Sequence, residues 1–229
     1  MKLARQSLDV GLFTNNVAAM RRFYEEEIGL AFEEVLPTGG GARQHRLGLN
    51  GSVLKLNEAR TAFPEGLPSG YQKLSISTEK VAAPTDLADP DGNAVRLLPA
   101  DGQEPSIEVD IAVADIAAAT RHYRDALGFE PVEPGVFRCG TTLVRLVSRP
   151  GQPATGELRA AGFRYLTVQV WDADAEYAHA LAHGANGAAP PRTSGNVARF
   201  GFVRDPGGNW LEISQRASLT GPLPPNEPV

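Results

Sequence analysis

The chain repeats itself, and this limits its fold more than any other feature. Residues 9–30, "DVGLFTNNVAAMRRFYEEEIGL", match residues 108–129, "EVDIAVADIAAATRHYRDALGF", at a constant offset of 99, so that Tyr24 falls on Tyr123 and Gly29 on Gly128. A second pair, "DPDGNAVRL" at 89–97 and "DPGGNWLEI" at 205–213, lies 116 residues apart. A matched pair near the start of each half and another near its end make the chain a tandem of two related domains of unequal length. We place domain 1 at residues 1–100, a Pro/Gly linker at 101–105, domain 2 at 106–217 and a Pro-rich extended tail at 218–229.

Each half begins with a strand followed by a helix. Residues 7–13 alternate as a strand. Residues 15–28 carry Val17, Met20, Phe23, Tyr24 and Ile28 at helical spacing, with Gly29 placed as a C-terminal cap. "HRLGLNGSVLKLN" reads as a hairpin closed by Asn50-Gly51 in a type I′ turn. Later in domain 2 the unit recurs as the strand "YLTVQVW", the helix "ADAEYAHALAHG" and strands leading to "NWLEIS". The "DPGGN" stretch before that last strand is turn chemistry: Pro206 fixes φ, the glycines allow positive φ, and Asn209 tolerates left-handed geometry. The unit is βαβββ, used twice per domain. Domain 1 departs from it, because Lys73 to Asp89 spans 16 residues where Tyr165 to Asp205 spans 40. Its second module is expected to lack the helix and about one strand.

Strand alternation sorts the side chains onto two faces. Leu8, Val10, Leu12, Leu54, Leu56, Leu74, Ile76, Val95 and Leu97 form an apolar face in domain 1. The opposite face then holds Asp9, Arg46, Lys55, Lys73 and Arg96, with Arg46 across the hairpin from Lys55. In domain 2 the polar face holds Glu108, Asp110, Arg145, Tyr165, Thr167, Gln169, Trp210, Glu212 and Ser214. Its apolar complement includes Val109, Ile111, Val113, Leu166, Val168, Val170, Leu211 and Ile213.

Composition narrows the partners. A formal charge of −5 and a pI near 5.4 argue against a nucleic-acid or anionic-membrane binder. The single cysteine, Cys139, excludes an internal disulfide framework. No signal peptide or membrane span is read from the sequence, so a soluble cytoplasmic protein, monomer or homodimer, is expected.

The strand-helix segments with "RRFYEEEIGL" and "RHYRDALGF", the "DPDGN" and "DPGGN" turns and the paired-module order together resemble the vicinal oxygen chelate superfamily. That superfamily includes glyoxalase I, bleomycin-resistance binding proteins and extradiol dioxygenases. The resemblance covers residues 5–216. It implies an α+β fold of tandem paired βαβββ modules forming cupped mixed sheets, with the first domain truncated. Metal-dependent members carry His or Glu at one position on the first and fourth strands of each module. Those positions fall here on Asp9, Lys55, Lys73 and Arg96, and on Glu108, Arg145, Tyr165 and Glu212. Three cations in domain 1 repel a divalent metal. In domain 2 an internal Glu108–Arg145–Glu212 ion-pair network is favoured over a metal held by Glu108 and Glu212. No cofactor and no metal are therefore expected. The extradiol pattern of two His and one Glu survives only at Glu212.

Other candidates carry weaker signals. His179 and His183, spaced i, i+4, read as a solvent-facing helix surface. His122 is expected to pack at a helix edge, and His45 to point away from Lys55. Cys139 lacks a neighbouring His and reads as a buried thiol. "PTGGGAR" at 37–43 lacks the Lys-Ser/Thr ending of a phosphate loop and suits a flexible lid or connection.

Two functional classes follow. The first is a metal-independent protein that binds an anionic metabolite or antibiotic-like ligand through Asp9, Arg46, Lys55, Lys73, Arg96, Gln169 and Trp210. The second is a lyase, isomerase or hydrolase in which Glu108 or Glu212 acts as acid/base, Tyr165 donates a proton and Arg145 orients an oxyanion.

Overall fold

The computed structural model describes residues 1–39, 41–100, 102 and 106–226. Most of the linker assigned to 101–105, and the last three residues of the tail, lie outside the described residues.

Four modules follow one another. The first contains β1 (Asp9–Phe13), α1 (Val17–Arg22), β2 (Phe32–Gly39), β3 (Ala42–Leu49) and β4 (Ser52–Ala59). The second contains only β5 (Tyr71–Thr78), β6 (Thr85–Ala88) and β7 (Ala94–Pro99), so it lacks a helix and one strand, as the spacing predicts. The third contains β8 (Ile107–Val113), α2 (Ile116–Arg121), β9 (Glu130–Glu133), β10 (Val136–Cys139) and β11 (Thr142–Ser148). The fourth contains β12 (Gly162–Gln169), α3 (Ala173–Ala182), β13 (Asn186–Ser194), β14 (Ala198–Arg204) and β15 (Trp210–Arg216). A short α4 (Ala217–Thr220) opens the tail.

Two details refine the local expectations. The helix at 15–28 is α-helical only to Arg22 and continues as a π-helical turn over Phe23–Ile28, ending on Gly29 at φ 92°. Module three repeats this, with a π-helical turn over His122–Ala126. Asn50 and Gly51 have φ of 47° and 81°, the two positive values of a type I′ turn.

The sheets do not follow the halves of the chain. One has eight strands in the order β13-β14-β15-β12-β1-β4-β3-β2, joining modules one and four through the antiparallel β1–β12 pair. The other has seven, in the order β6-β7-β5-β8-β11-β10-β9, joining modules two and three through the antiparallel β5–β8 pair. The polar faces grouped by half must therefore be regrouped. Asp9, Arg46 and Lys55 share a sheet with Tyr165, Gln169, Trp210 and Glu212. Lys73 and Arg96 share the other with Glu108, Asp110 and Arg145. Alternation assigns a side chain to a face, but carries no information about which module edges meet.

The apolar faces behave as expected. Leu8, Val10, Leu12, Leu54, Leu56, Val109, Ile111, Leu166, Val168, Leu211 and Ile213 all join one continuous core with Tyr24 and Tyr123. The Asp-Pro turns anchor the helices to it. Asp89 Oδ1 accepts the backbone N–H groups of Asp91 (3.1 Å) and Asn93 (2.9 Å), and Oδ2 accepts the Tyr24 hydroxyl (2.9 Å). Asp205 repeats this with the Asn209 N–H (2.9 Å) and the Tyr123 hydroxyl (3.1 Å). Each Asp thus satisfies backbone donors of its own turn and holds a buried tyrosine hydroxyl. Among the described residues, no helix is long and apolar enough to cross a membrane.

Candidate functional site

The eight-stranded sheet curls around a cavity of about 270 Å³. Small-molecule pockets run from about 300 Å³ upward, so a compact ligand suits it. Its floor comes from β4, β12 and β15, and its outer wings from β2–β3 and the β13–β14 hairpin.

An ammonium holds the centre of the floor. Lys55 Nζ donates to Thr167 Oγ1 at 2.6 Å and to Glu212 Oε2 at 2.9 Å, and lies 3.5 Å from Asp9 Oδ2. The Thr167 hydroxyl donates in turn to Glu212 Oε2 at 2.6 Å. Asp9 is fully buried; it also receives Arg5 Nη1 at 2.9 Å and Gln169 Nε2 at 2.8 Å. Burial raises the Asp9 pKa, but Lys55, Arg5, the Gln169 bond and Arg46 together outweigh it, and the net shift is downward. This is a charge-assisted buried network with each ion paired.

Tyr165 stands beside it because Gly11 leaves room. A Cβ on Gly11 would overlap the Tyr165 ring. The phenol oxygen accepts from Asn57 Nδ2 (3.2 Å) and Gln44 Nε2 (3.3 Å). Both amide orientations are fixed by one-way partners: Asn57 Nδ2 also donates to the Leu12 carbonyl, and Gln44 Oε1 accepts from Arg46 Nη1. Burial and the Glu212 carboxylate push the phenol far above its usual range, so it keeps its proton. With its oxygen accepting twice, its O–H is left to donate into the cavity. Phe13, Phe200 and Phe202 supply apolar wall.

The β2–β3 wing meets the end of β15 at Glu34. Its Oε1 accepts from Arg216 Nη2 at 2.8 Å and lies 3.3 Å from Arg46 Nε. Burial first, then the neighbouring Arg46, lowers the Arg216 pKa. A guanidinium stays charged despite such a shift, so the lowering marks two crowded cations. Arg46, Lys55, Arg159 and Arg216 line the cavity against one carboxylate, Glu212. Adding the flanking Arg5, Asp9 and Glu34 gives five cations to three anions. The cavity is positive inside a chain that is negative overall.

Two arrangements read from the sequence are corrected. The Glu108–Arg145–Glu212 network does not form. Arg145 lies 3.7 Å from Glu108 and 3.0 Å from Glu133, while Glu212 belongs to the other sheet. The Glu108, Arg145, Tyr165 and Glu212 set therefore cannot act as one centre. Lys73 and Arg96 also leave the Lys55 group: Lys73 pairs with Asp110 at 2.6 Å, and Arg96 with Asp86 at 2.6 Å in the β6–β7 hairpin. Trp210 packs beside Phe202 under the Arg204 guanidinium, next to the cavity but outside its lining.

The remaining candidates fall where their surroundings dictate. His45 turns to Glu58 at 3.0 Å. His122 is buried edge-on against Tyr123, and burial lowers its pKa to about 4. His179 and His183 are exposed. Burial raises the Cys139 thiol to about 12, which removes it as a nucleophile. Of the 37–43 segment, Pro37, Thr38 and Ala42 border the cavity, and residue 40 lies outside the described residues. Sequence reasoning missed Gln44, Asn57 and Arg216. Gln44 and Asn57 sit two residues beyond Arg46 and Lys55 on the same strand face, and Arg216 sits four beyond Glu212, so alternation carried one or two steps further reaches them.

The description "Glyoxalase/Bleomycin resistance protein/Dioxygenase superfamily" belongs to the family model that matches residues 107–213. Residues 107–213 belong to the vicinal oxygen chelate superfamily. The paired-module fold of glyoxalase type extends over the whole chain. Glyoxalase I from Zea mays superposes with a TM-score of 0.74 at 14% identity, covering 91% of this chain and 92% of that one. A putative dioxygenase from Bacillus subtilis subsp. subtilis str. 168 gives 0.70 at 13% identity, covering 94% and 86%. The cppA protein from Streptococcus pneumoniae TIGR4 gives 0.58 at 15% identity, covering 94% and 100%. At these identities the likeness is one of fold. No curated protein matches the chain in sequence. In this chain Asp9 and Glu212 meet around the Lys55 ammonium. The described residues hold no group of three or more His, Cys, Asp or Glu side chains placed for a metal ion.

Proposed function

We propose that the protein binds a small anionic molecule with an apolar body in the cup formed by modules one and four, without a metal. The observation that carries this reading is the Lys55 ammonium, seated between Asp9 and Glu212 at the centre of a cavity with surplus positive charge. A divalent cation there would have to displace a buried, fully paired ammonium and meet Arg46 beside it, at a large Coulombic cost. Arg46 and Arg216 share a single carboxylate, which leaves them able to take a ligand's acid group. Phe13, Phe200 and Phe202 suit the apolar body. The lone, buried Cys139 accords with a cytoplasmic setting.

A second reading keeps one specific observation: the Tyr165 hydroxyl and the Glu212 carboxylate face the same cavity, as a proton donor and acceptor would. Turnover of a bound ligand that is lost in Tyr165→Phe would favour it.

The binding reading is tested by a thermal-shift and calorimetric comparison of aromatic carboxylates with their neutral primary amides, alongside metal analysis of the purified protein. The acids raise the melting temperature and the amides do not, with metal far below one ion per chain. One tightly held divalent ion per chain that is lost in Glu212→Ala would sink the metal-independent claim.

A further inference from the structure

The Glu212 carboxylate is divided between two tasks. Oε2 is used up by the protein, accepting from Lys55 at 2.9 Å and from Thr167 at 2.6 Å. Oε1 receives no bond from any described residue, although Glu212 is only 9% exposed and lines the cavity. A carboxylate oxygen that faces the cavity with no protein donor must take its hydrogen bond from water or from a ligand. It is also a poor neighbour for a ligand's own acid group, unless that ligand brings a hydrogen to it.

We infer that the ligand of this cup carries an O–H or N–H donor within a bond or two of its acid group, and that this donor bonds Glu212 Oε1. The inference rests on the anion-binding reading above and narrows it to hydroxy acids, amino acids or acylamino acids with an apolar body. The spacing follows from the sheet register. Arg46 lies directly across from Lys55 in the β3–β4 pair, and Lys55 touches Glu212. Directly paired strand residues have Cβ atoms about 5 Å apart. An acid held by Arg46 is therefore near the Glu212 carboxylate, and only an adjacent donor makes that approach favourable. The Tyr165 hydroxyl, a donor by the argument above, is free for one oxygen of the acid.

The test compares 3-phenyllactate with 3-phenylpropionate, which differ by one hydroxyl beside the carboxylate, in calorimetric titrations of the full chain. The wild type is expected to bind phenyllactate about ten-fold more tightly, the worth of one net hydrogen bond. In Glu212→Gln, Lys55 and Thr167 fix the amide oxygen in the place of Oε2, so the NH2 group faces the cavity. A donor then replaces the acceptor, and the affinity ratio falls to about one or inverts. Equal affinities in the wild type, or a ratio that survives Glu212→Gln, would overturn the inference and leave the anion-binding reading standing. If neither acid binds the wild type, both fall. The wild-type comparison decides the matter even if the variant does not fold.

Discussion

Lys55 Nζ lies 2.9 Å from Glu212 Oε2, a bond that ties the first module of the chain to its last. Both side chains are almost wholly out of water, as is Asp9 on the other side of the ammonium. Removing one partner of such a group strands charge in a low-dielectric setting. Lys55→Met is therefore expected to cost about 3–5 kcal/mol in denaturant unfolding. Adding Glu212→Gln to that variant removes one stranded charge and restores part of the loss. A cost below about 1 kcal/mol would mean that water reaches the group and that the network is not structural.

His122 gives a pH signature. Burial lowers its pKa to about 4 in the folded chain, against about 6.5 unfolded. Below pH 6.5 the unfolded chain takes up a proton that the folded chain refuses until about pH 4. Stability contributed by the neutral imidazole is complete above 6.5, falls between 6.5 and 4, and levels off below. The shift corresponds to about 3 kcal/mol. His122→Phe places in module three the residue that module one has at Phe23. It should flatten the wild-type stability curve over that window; identical curves for the two proteins would contradict the account.

Gly11 makes room for Tyr165. Gly11→Ala puts a methyl group into the phenol ring, which must swing into the cavity or strain β1. Overpacking of this kind costs about 1–3 kcal/mol. The expected outcome is a lower melting temperature together with at least a ten-fold loss of affinity for 3-phenylpropionate. Unchanged binding would show that Tyr165 is not part of the ligand site.

The tail holds one wall of the cup. Asn226 Oδ1 accepts from the Thr193 N–H at 2.7 Å, and Asn226 Nδ2 donates to the Thr193 carbonyl at 2.9 Å. The Thr193 hydroxyl donates to the Pro224 carbonyl at 2.6 Å. Thr193 precedes Ser194, Val197 and Ala198, which line the cavity. Truncation after Gly221 should speed amide hydrogen exchange in the β13–β14 hairpin while β8 and β11 keep their protection. Equal exchange in both proteins would mean that the hairpin stands without the tail.

The internal repeat and the strand alternation carried most of the fold. They located the helices, the Asn50-Gly51 turn, the truncated second module and the inward faces of strands such as β1, β4, β12 and β15, because these depend on local period and turn chemistry. The Asp-Pro turns recur for a reason the sequence alone does not give: Asp89 and Asp205 each tie a buried tyrosine to a turn far along the chain. The site was legible only in pieces. Lys55, Arg46, Tyr165, Gln169 and Glu212 were all placed on inner faces, yet Lys55 and Glu212 were assigned to different cups. The β1–β12 contact that unites them is an edge-to-edge choice between whole modules. Module edges are chemically alike, so no single residue encodes which pair will meet. The same gap produced the expected Glu108–Arg145–Glu212 network.

The central claim is that the positive cup of modules one and four takes the acid group of a ligand. Calorimetric titration of 3-phenylpropionate into the wild type and into the Arg46→Met, Arg216→Met double variant, each at low and high salt, tests it most directly. The account predicts binding to the wild type and at least a ten-fold loss in the variant. It also predicts only a modest salt dependence, because the guanidinium groups are largely buried. Wild-type affinity that the double substitution leaves unchanged, or no binding at either salt concentration, would contradict it.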